Sequence, residues 1–415
     1  MTEVNAGPTG RKAVQGLAAD LPVRNVPVRS VTGAERPLAE LPAMDVAGRV
    51  SRVRERLGEA GCDVLLVSGR SNVRYLTGFT GSAGMVLVRA GDAVLVTDGR
   101  YGSQAERELA ASGTEVQVAA LWASEQLNFL GQLVKDVARV GVEAEHVSWA
   151  AERRWSGTWA KDLELVPTSG VVEKLREQKD PGEIARISAA AGVADKALAG
   201  VMGLLTGQPT EIEVAVALDG EMRRLGAESP AFETIVASGP NGAEPHHRPA
   251  ARRTGPGDLI TFDFGARVDG YCSDMTRTFA VDGAALAPEL RRVWAVVLAS
   301  QDAGLSAVRA GVAGVEVDRA CREVVEAAGY GDLFVHRTGH GVGLDIHEPP
   351  WLGGPSTDIL ASGQVVTVEP GVYVPGLGGA RTEDTVVVTE AGCEILTMTP
   401  KEIYARVEAS ANGPC

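Results

Sequence analysis

The tetrapeptide Asp180-Pro181-Gly182-Glu183 constrains this chain more sharply than any other feature. Aspartate caps a helix, proline is tolerated at the first helical position because its missing N–H would go unused there, and the following glutamate is placed to close a capping box. A helix therefore starts here, and the chain follows a different plan on each side of it. On the N-terminal side an amphipathic helical pattern begins at Val50, followed by short apolar runs at Val64 to Val67, Met85 to Val88 and Ala93 to Val96. Arg89-Ala90-Gly91-Asp92 joins the last two as a hairpin. Helical stretches follow at Ser103 to Ala111 and Ala123 to Val137, so strands alternating with helices predict an α/β domain ending near residue 170.

On the C-terminal side Thr210 and Glu213 repeat the capping box, and Ala287 to Val308 and Glu316 to Ala328 read as further helices. Strands are expected at Leu259 to Ala266, Cys272 to Val281, Val365 to Glu369 and Thr382 to Thr389. That is an α+β plan, with helices packed on a largely antiparallel sheet. Residues 1 to about 44 carry scattered proline and glycine without an apolar period and read as an extended lead-in.

Composition serves to exclude. A chain of 415 residues is too long for a single small binding module. Its 40 basic and 54 acidic residues leave a net charge of −14, which works against phosphate backbones and anionic lipid, so neither nucleic acid nor membrane is an expected partner. No apolar run approaches the roughly 18 residues of a membrane helix, Met1 to Leu21 lacks the apolar core of a secretory signal, and the cytoplasm is the expected compartment. The five cysteines are odd in number and never form a CxxC, which points to reduced thiols, with Cys415 a solvent-exposed bystander.

The chemistry lies in the acids. In Leu259 to Gly265 the apolar Ile260, Phe262 and Phe264 alternate with Thr261 and Asp263, which puts a carboxylate in mid-strand, where aspartate is normally depleted. If the following turn is centred between Val268 and Asp269, Asp263 faces Asp274 with Cβ atoms roughly 5 Å apart. Like charges so placed need a cation between them; the bland alternative is an exposed face neutralised by Arg267 or Arg277. Downstream, Glu369 ends one apolar strand and Glu383 begins another, and five of the six histidines (His246, His247, His336, His340, His347) cluster in the C-terminal half. Two aspartates, two glutamates and one imidazole form an oxygen-rich donor set suited to a pair of divalent ions, manganese first, with cobalt or zinc as alternatives. Four carboxylates would balance two such ions, and a bridging hydroxide between ions about 3.5–4 Å apart could attack a carbonyl that they polarise. The reaction class is hydrolysis.

Taken in order, several stretches resemble the creatinase, prolidase and aminopeptidase P branch of the pita-bread metallopeptidases. They are Phe232 to Gly239 with Pro245-His246, Asp263-Phe264-Gly265 with Ser273 to Thr278, His336 to Gly343 with His347-Glu348, Glu369-Pro370-Gly371 with Tyr373, and Arg381 to Thr385. Asn72 to Phe79 and Thr97 to Tyr101 are similar to the N-terminal domain of the same branch, and the likeness runs from about residue 46 to 405. It implies an α/β creatinase-like domain at 46–170 and an α+β pita-bread domain at 171–405, with helices packed on a curved, largely antiparallel sheet. Residues 1–45 are then a lead-in and 406–415 a tail.

By this resemblance Asp263, Asp274, His340, Glu369 and Glu383 match the metal-ligand positions, two divalent ions per chain. His246 and His347 match histidines that flank the substrate and stabilise the tetrahedral intermediate. His336 and Arg381 match positions near the metals and substrate, and Glu369 also matches a proton shuttle. The implied activity is hydrolysis of the peptide bond preceding proline in a small peptide, by a dipeptidase or aminopeptidase that forms a homodimer. Two competitors are a creatinase-like hydrolase of a non-peptide C–N bond and a non-catalytic binding module. Creatinase works without metal and lacks the full ligand set, and non-catalytic relatives have lost ligands, so five intact positions count against both.

Some features stand apart. His247-Arg248 follows His246 where the family more often has a small residue, and could change the volume and charge of the pocket or simply form a solvated loop. Gly339, Gly341 and Gly343 lack the spacing of a dinucleotide fingerprint or P-loop, and are expected to let the backbone approach a metal or substrate. Ser82 has only His146 in its domain as a partner, which disfavours a serine hydrolase. Trp122, Trp155 and Trp159 are expected to be packing residues.

Overall fold

The computed structural model describes residues 41–159, 163–281 and 285–401, and the backbone of 404–405. The expected lead-in falls almost wholly outside the described residues, as do the 406–415 tail and Cys415. The chain folds as two compact units that divide between Gly182 and Glu183, so the segment after residue 170 belongs to the N-terminal unit.

The N-terminal unit is α/β. Its strands are β1 (Val64–Val67), β2 (Gly84–Val88), β3 (Ala93–Thr97), β4 (Gln117–Ala120), β5 (Arg139–Glu143) and β6 (Glu164–Thr168), in one sheet ordered β4-β3-β2-β1-β5-β6. The expected hairpin is present, with Val88 opposite Ala93. Helices α1 (Arg49–Arg56), α2 (Arg70–Thr77), α3 (Gly102–Ser112), α4 (Ala123–Leu133) and α5 (Trp149–Thr158) accompany the sheet. Trp155 and Trp159 stack at 5.7 Å in its core, as expected of packing residues. Trp122 does not pack: it precedes α4 with 79% of its surface exposed.

In the C-terminal unit, α6 (Pro181–Val201) starts at the signalled proline, and α7 (Glu211–Arg224) at the Thr210 capping box, where Thr210 Oγ1 accepts from Glu213 N at 3.2 Å and Glu213 Oε2 accepts from Thr210 N at 2.7 Å. One element departs from expectation: the helical run Pro181–Gly207 is long and apolar enough to cross a bilayer. It is a core helix, with Ala190, Ala194, Ala197 and Leu198 buried in the same cluster as Phe262 and Phe279.

Those helices pack on strands β8 (Ile235–Ser238), β9 (Leu259–Phe264) and β12 (Met275–Val281), which pair antiparallel. Short strands β7 (Ser229–Pro230), β10 (Ala266–Val268) and β11 (Tyr271–Cys272) form a separate antiparallel ribbon. A second core joins α8 (Pro288–Ala307) and α9 (Gly314–Ala327) to the sheet of β13 (Gly339–Gly341), β14 (Glu348–Leu352), β15 (Val365–Val368), β18 (Asp384–Val388) and β19 (Cys393–Ile395). The hairpin β16 (Gly371–Val374) and β17 (Gly378–Arg381) completes this half. Apart from the terminal bridge of β12 with Tyr404–Ala405, the described pairings of this unit are antiparallel.

The turn before β11 differs from expectation by one residue. Val268 pairs with Tyr271, so Asp269 (φ 45°) and Gly270 (φ 79°) form the turn, with the two positive φ values of a type I′ hairpin. The β9–β12 register moves with it, Asp263 faces Thr276, and Asp274 takes the diagonal position.

The two cores are stitched together by a buried ion pair. Arg277, 1% exposed, reaches Asp384 Oδ1 at 2.8 Å, Thr399 O at 2.7 Å and the carbonyls of Thr276 and Glu383. Asp384, with no exposed surface, also receives Lys401 Nζ at 2.6 Å and Thr397 Oγ1 at 2.8 Å. Removing one partner of such a pair leaves an uncompensated buried charge. Asp384→Ala is therefore expected to cost about 3–5 kcal/mol, read as a lower urea midpoint, whereas an unchanged midpoint would show that the pair contributes nothing.

Candidate active site

Only Asp263 of the expected acids lies within a strand; Asp274 immediately precedes β12, Glu369 follows β15 and Glu383 precedes β18. His340 is the middle residue of β13. At strand ends the ladder releases the backbone, and acids from separate strands can turn toward one volume. These five side chains line a single cavity of about 670 Å³ together with His246, His336, His347 and Arg381, so every expected site residue borders the same space.

Hydroxyls orient the acids. Thr276 Oγ1 donates to Glu383 Oε2 at 2.7 Å, and Thr367 Oγ1 donates to Glu369 Oε1 at 3.3 Å. His340 Nδ1 donates to the Gly341 carbonyl at 3.0 Å, which turns Nε2 toward the carboxylates, 3.3 Å from Glu369 Oε1 and 3.7 Å from Asp274 Oδ2. An imidazole pinned by one nitrogen and presenting the other is the usual posture of a metal-binding histidine. Neither threonine was singled out from the sequence. Each lies two residues from an acid (Asp274 and Thr276, Thr367 and Glu369), and that period of two was the available signal.

Arg381 borders the same cavity, against Asp263. Its Nη2 meets Asp263 Oδ2 at 2.5 Å, its Nη1 donates to the Tyr373 hydroxyl at 2.7 Å, and its Nε donates to Thr276 Oγ1 at 3.2 Å. Tyr373 in turn donates to His336 Nε2 at 2.8 Å, because His336 Nδ1 donates to the Arg337 carbonyl at 2.7 Å and leaves Nε2 as the acceptor. Burial holds the Tyr373 hydroxyl up at about 12 and pushes the His336 imidazole down, so both groups are neutral near pH 7. In the sequence Tyr373 stands out only as part of a motif; the structure makes it the link between Arg381 and His336.

Arg381 supplies one positive charge against four carboxylates. Burial first, and then the charge of neighbouring carboxylates, pushes Asp274 and Glu383 well above the usual carboxylate range. Burial also opposes ionisation of Glu369, but the hydrogen bond and charge of His340 outweigh it and hold the group at about 2. Asp274 Oδ1 and Glu383 Oε1 are buried without a hydrogen-bond partner among the described residues. Donor atoms of Asp274, His340 and Glu383 lie within 4.8 Å of one another. Buried carboxylate oxygens without donors, gathered around an imidazole nitrogen that can exchange its proton for a metal, fit a divalent cation.

His246 and His347 sit on the exposed wall of the cavity, and the His347 ring packs edge-on against His340 at 4.4 Å. Burial, then the neighbouring His340, pushes the His347 imidazole down. The glycines flanking His340 have a different task from the one expected. A Cβ at Gly339 would lie 2.0 Å from the Thr367 carbonyl oxygen, and one at Gly341 2.3 Å from that of Pro349. They allow neighbouring strands, rather than a ligand, to approach. His247 turns onto Glu211 at 2.9 Å and Arg248 is 83% exposed beside Glu233, yet both line the cavity, so the pair changes its wall as well as forming part of a solvated loop.

Residues 185–390 match metallopeptidase family M24, and residues 49–178 match the creatinase/prolidase N-terminal domain. Over 361 residues the chain is 39% identical to the uncharacterized peptidase YqhT of Bacillus subtilis (strain 168), covering 86% of this chain and 99% of that one. It is 33% identical over 355 residues to the Xaa-Pro dipeptidase of Pyrococcus furiosus, covering 86% and 99%. Among solved structures, the Xaa-Pro dipeptidase from Bacillus anthracis matches with a TM-score of 0.81 at 39% identity, covering 86% of this chain and 98% of that one. The X-Pro aminopeptidase from Thermotoga maritima MSB8 matches at 0.77 and 35% identity, covering 85% and 99%. The chain belongs to metallopeptidase family M24, which implies use of divalent metal, and it is a peptidase with the two-part creatinase and pita-bread architecture.

Glu211 holds the loop that carries His246. Burial opposes its ionisation, but hydrogen bonds from Ser238, His247 and Ala250 outweigh that and keep its carboxyl below the usual range. A depressed carboxyl stabilises the fold above its unfolded pKa of about 4.3 and loses that contribution as pH falls through the lower folded value. Glu211→Gln is therefore expected to melt lower than the parent at pH 7, with the gap closing below about pH 4. A gap that stays constant across this range would contradict the assignment.

Proposed function

We propose that the chain hydrolyses the peptide bond preceding proline in small peptides, as an Xaa-Pro dipeptidase or aminopeptidase, at a dinuclear centre held by Asp263, Asp274, His340, Glu369 and Glu383. The observation that carries the reading is the pair of unpartnered, buried carboxylate oxygens on Asp274 and Glu383 beside His340. The proline specificity rests on the relatives whose names state it. Manganese is the first choice, with cobalt or zinc next, because the donors are mostly carboxylate oxygens. Assembly as a homodimer belongs to the same reading and rests on the resemblance alone, and a cytoplasmic location rests on the sequence expectation given above.

Bound divalent ions would acidify water and polarise the scissile carbonyl. The chain's own groups supply the rest. Glu369, oriented by Thr367, takes the proton-shuttle role, accepting a proton from the attacking water and returning it to the leaving amine. His246 and His347, on the exposed wall, offer N–H donors where negative charge develops on the carbonyl oxygen. Arg381, fixed by Tyr373 and Asp263, adds positive charge beside the acids.

After reconstitution with manganese, cobalt or zinc, the protein is expected to cleave Ala-Pro or a longer Xaa-Pro peptide, to leave creatine intact and to act poorly on a dipeptide without proline. Cleavage of creatine by metal-free protein would overturn the proposal. Asp263→Asn and Glu369→Gln are each expected to lower turnover at least about 100-fold while keeping the parental fold, read as an unchanged circular dichroism spectrum. Near-normal turnover of Xaa-Pro dipeptides by either variant would remove the metal-centred reading.

A further inference from the structure

His246 lines the cavity, is exposed, and has no side-chain hydrogen bond among the described residues, so its position comes from the backbone that carries it. That backbone is tied at both ends to one carboxylate. Glu211, with no exposed surface and at the first position of α7, accepts on Oε1 from Ser238 N and Ser238 Oγ, each at 2.7 Å, and from Asn241 Nδ2 at 3.0 Å, all before His246. On Oε2 it accepts from Ala250 N at 3.0 Å, and His247 Nε2 lies 2.9 Å away, both after His246. His247 Nδ1 lies 3.3 Å from Glu244 Oε2, and the imidazole is only 10% exposed. The side chain adjoining His246 is thus held between two carboxylates and turned onto α7.

We propose that His247 is a positioning residue for His246: its bond to Glu211 fixes the peptide on which His246 faces the substrate. The inference deepens the proposed function and rests on the reading that His246 meets the substrate. A carboxylate oxygen accepts only, so Nε2 must donate, and the bond is short enough to be strong and directional. Losing it leaves Glu211 with its Ser238, Asn241 and Ala250 donors, so the loop keeps its attachment to the helix while the residue beside His246 comes loose. A displacement of about 1 Å at a group that acts in the transition state lowers turnover by up to about 100-fold. Binding of the ground state is much less affected, so the loss falls on kcat rather than KM.

The test compares His247→Ala, His247→Gln, His246→Ala and the double variant His246→Ala/His247→Ala in the metal-loaded full chain with Ala-Pro. The expected result for His247→Ala is a kcat reduced by about 10-fold or more with KM within about twofold. His247→Gln, whose amide N–H reaches Glu211 as Nε2 does, recovers most of the rate. In the double variant the His247 change adds nothing to the loss already caused by His246→Ala. Full additivity, or parental kcat in His247→Ala, would overturn the proposal. A second readout needs no turnover: in ¹⁵N-histidine spectra the His246 ring signals are expected to shift or broaden in His247→Ala and to stay near parental in His247→Gln. Unmoved His246 signals in His247→Ala would overturn the inference even if the parent cleaves no proline peptide, an outcome that would separately defeat the proposed function.

Discussion

Like-charge repulsion in a dry place governs this structure. Asp274 and Glu383 are buried, Asp263 and Glu369 are half-buried beside them, and the cationic groups within reach are His340 and Arg381. Water cannot disperse the charge at the two most enclosed carboxylates, and no hydrogen-bond donor satisfies their inner oxygens. Such a cluster is costly by itself and is retained where a multivalent cation inverts the electrostatics. Arg381 does not take that place. It lies along Asp263 and is held there by Tyr373 and Thr276, leaving the Asp274, His340 and Glu383 donors facing one another.

The rest of the C-terminal unit makes this cluster possible. The acids come from strands in two separate cores, and Arg277 joins those cores by binding the Thr276 and Glu383 carbonyls and the Asp384 carboxylate at once. The acid-bearing strand ends therefore share one seam, in which Asp384 pairs with both Arg277 and Lys401. The glycines at 339 and 341 let β13 press against its neighbours so that His340 reaches the cluster. The arrangement of the site is built from backbone contacts and buried pairs as much as from the acids themselves.

Much of this was legible in the sequence, and the failures have physical causes. The pairing of Asp263 with Asp274 was inferred from a turn placed one residue early, and the site survived because moving a hairpin centre by one residue shifts the register by two. A shift of two keeps every side chain on its face. The positive φ values at Asp269 and Gly270 mark the true turn, and the Asp-Gly dipeptide was its signal. The boundary near residue 170 came from apolar periodicity, which does not register polar ties. Arg176 to Asn72 at 2.7 Å and Arg49 to Asp180 at 2.9 Å hold the segment after residue 170 in the N-terminal unit. Hydrogen bonds between residues about a hundred positions apart leave no local trace. The roles of Thr276, Thr367, Tyr373 and Glu211 were hidden for the same reason, since each depends on which distant group it meets. Trp122 shows the converse error, because an aromatic residue is assumed to pack until its surroundings are seen.

The central claim is that the buried acids exist to hold cations. Anomalous diffraction from crystals grown with manganese tests it most directly. The account predicts two peaks, roughly 3.5–4 Å apart, enclosed by Asp263, Asp274, His340, Glu369 and Glu383. A map with no peak among these residues, or with Arg381 swung into their midst in place of metal, would contradict it.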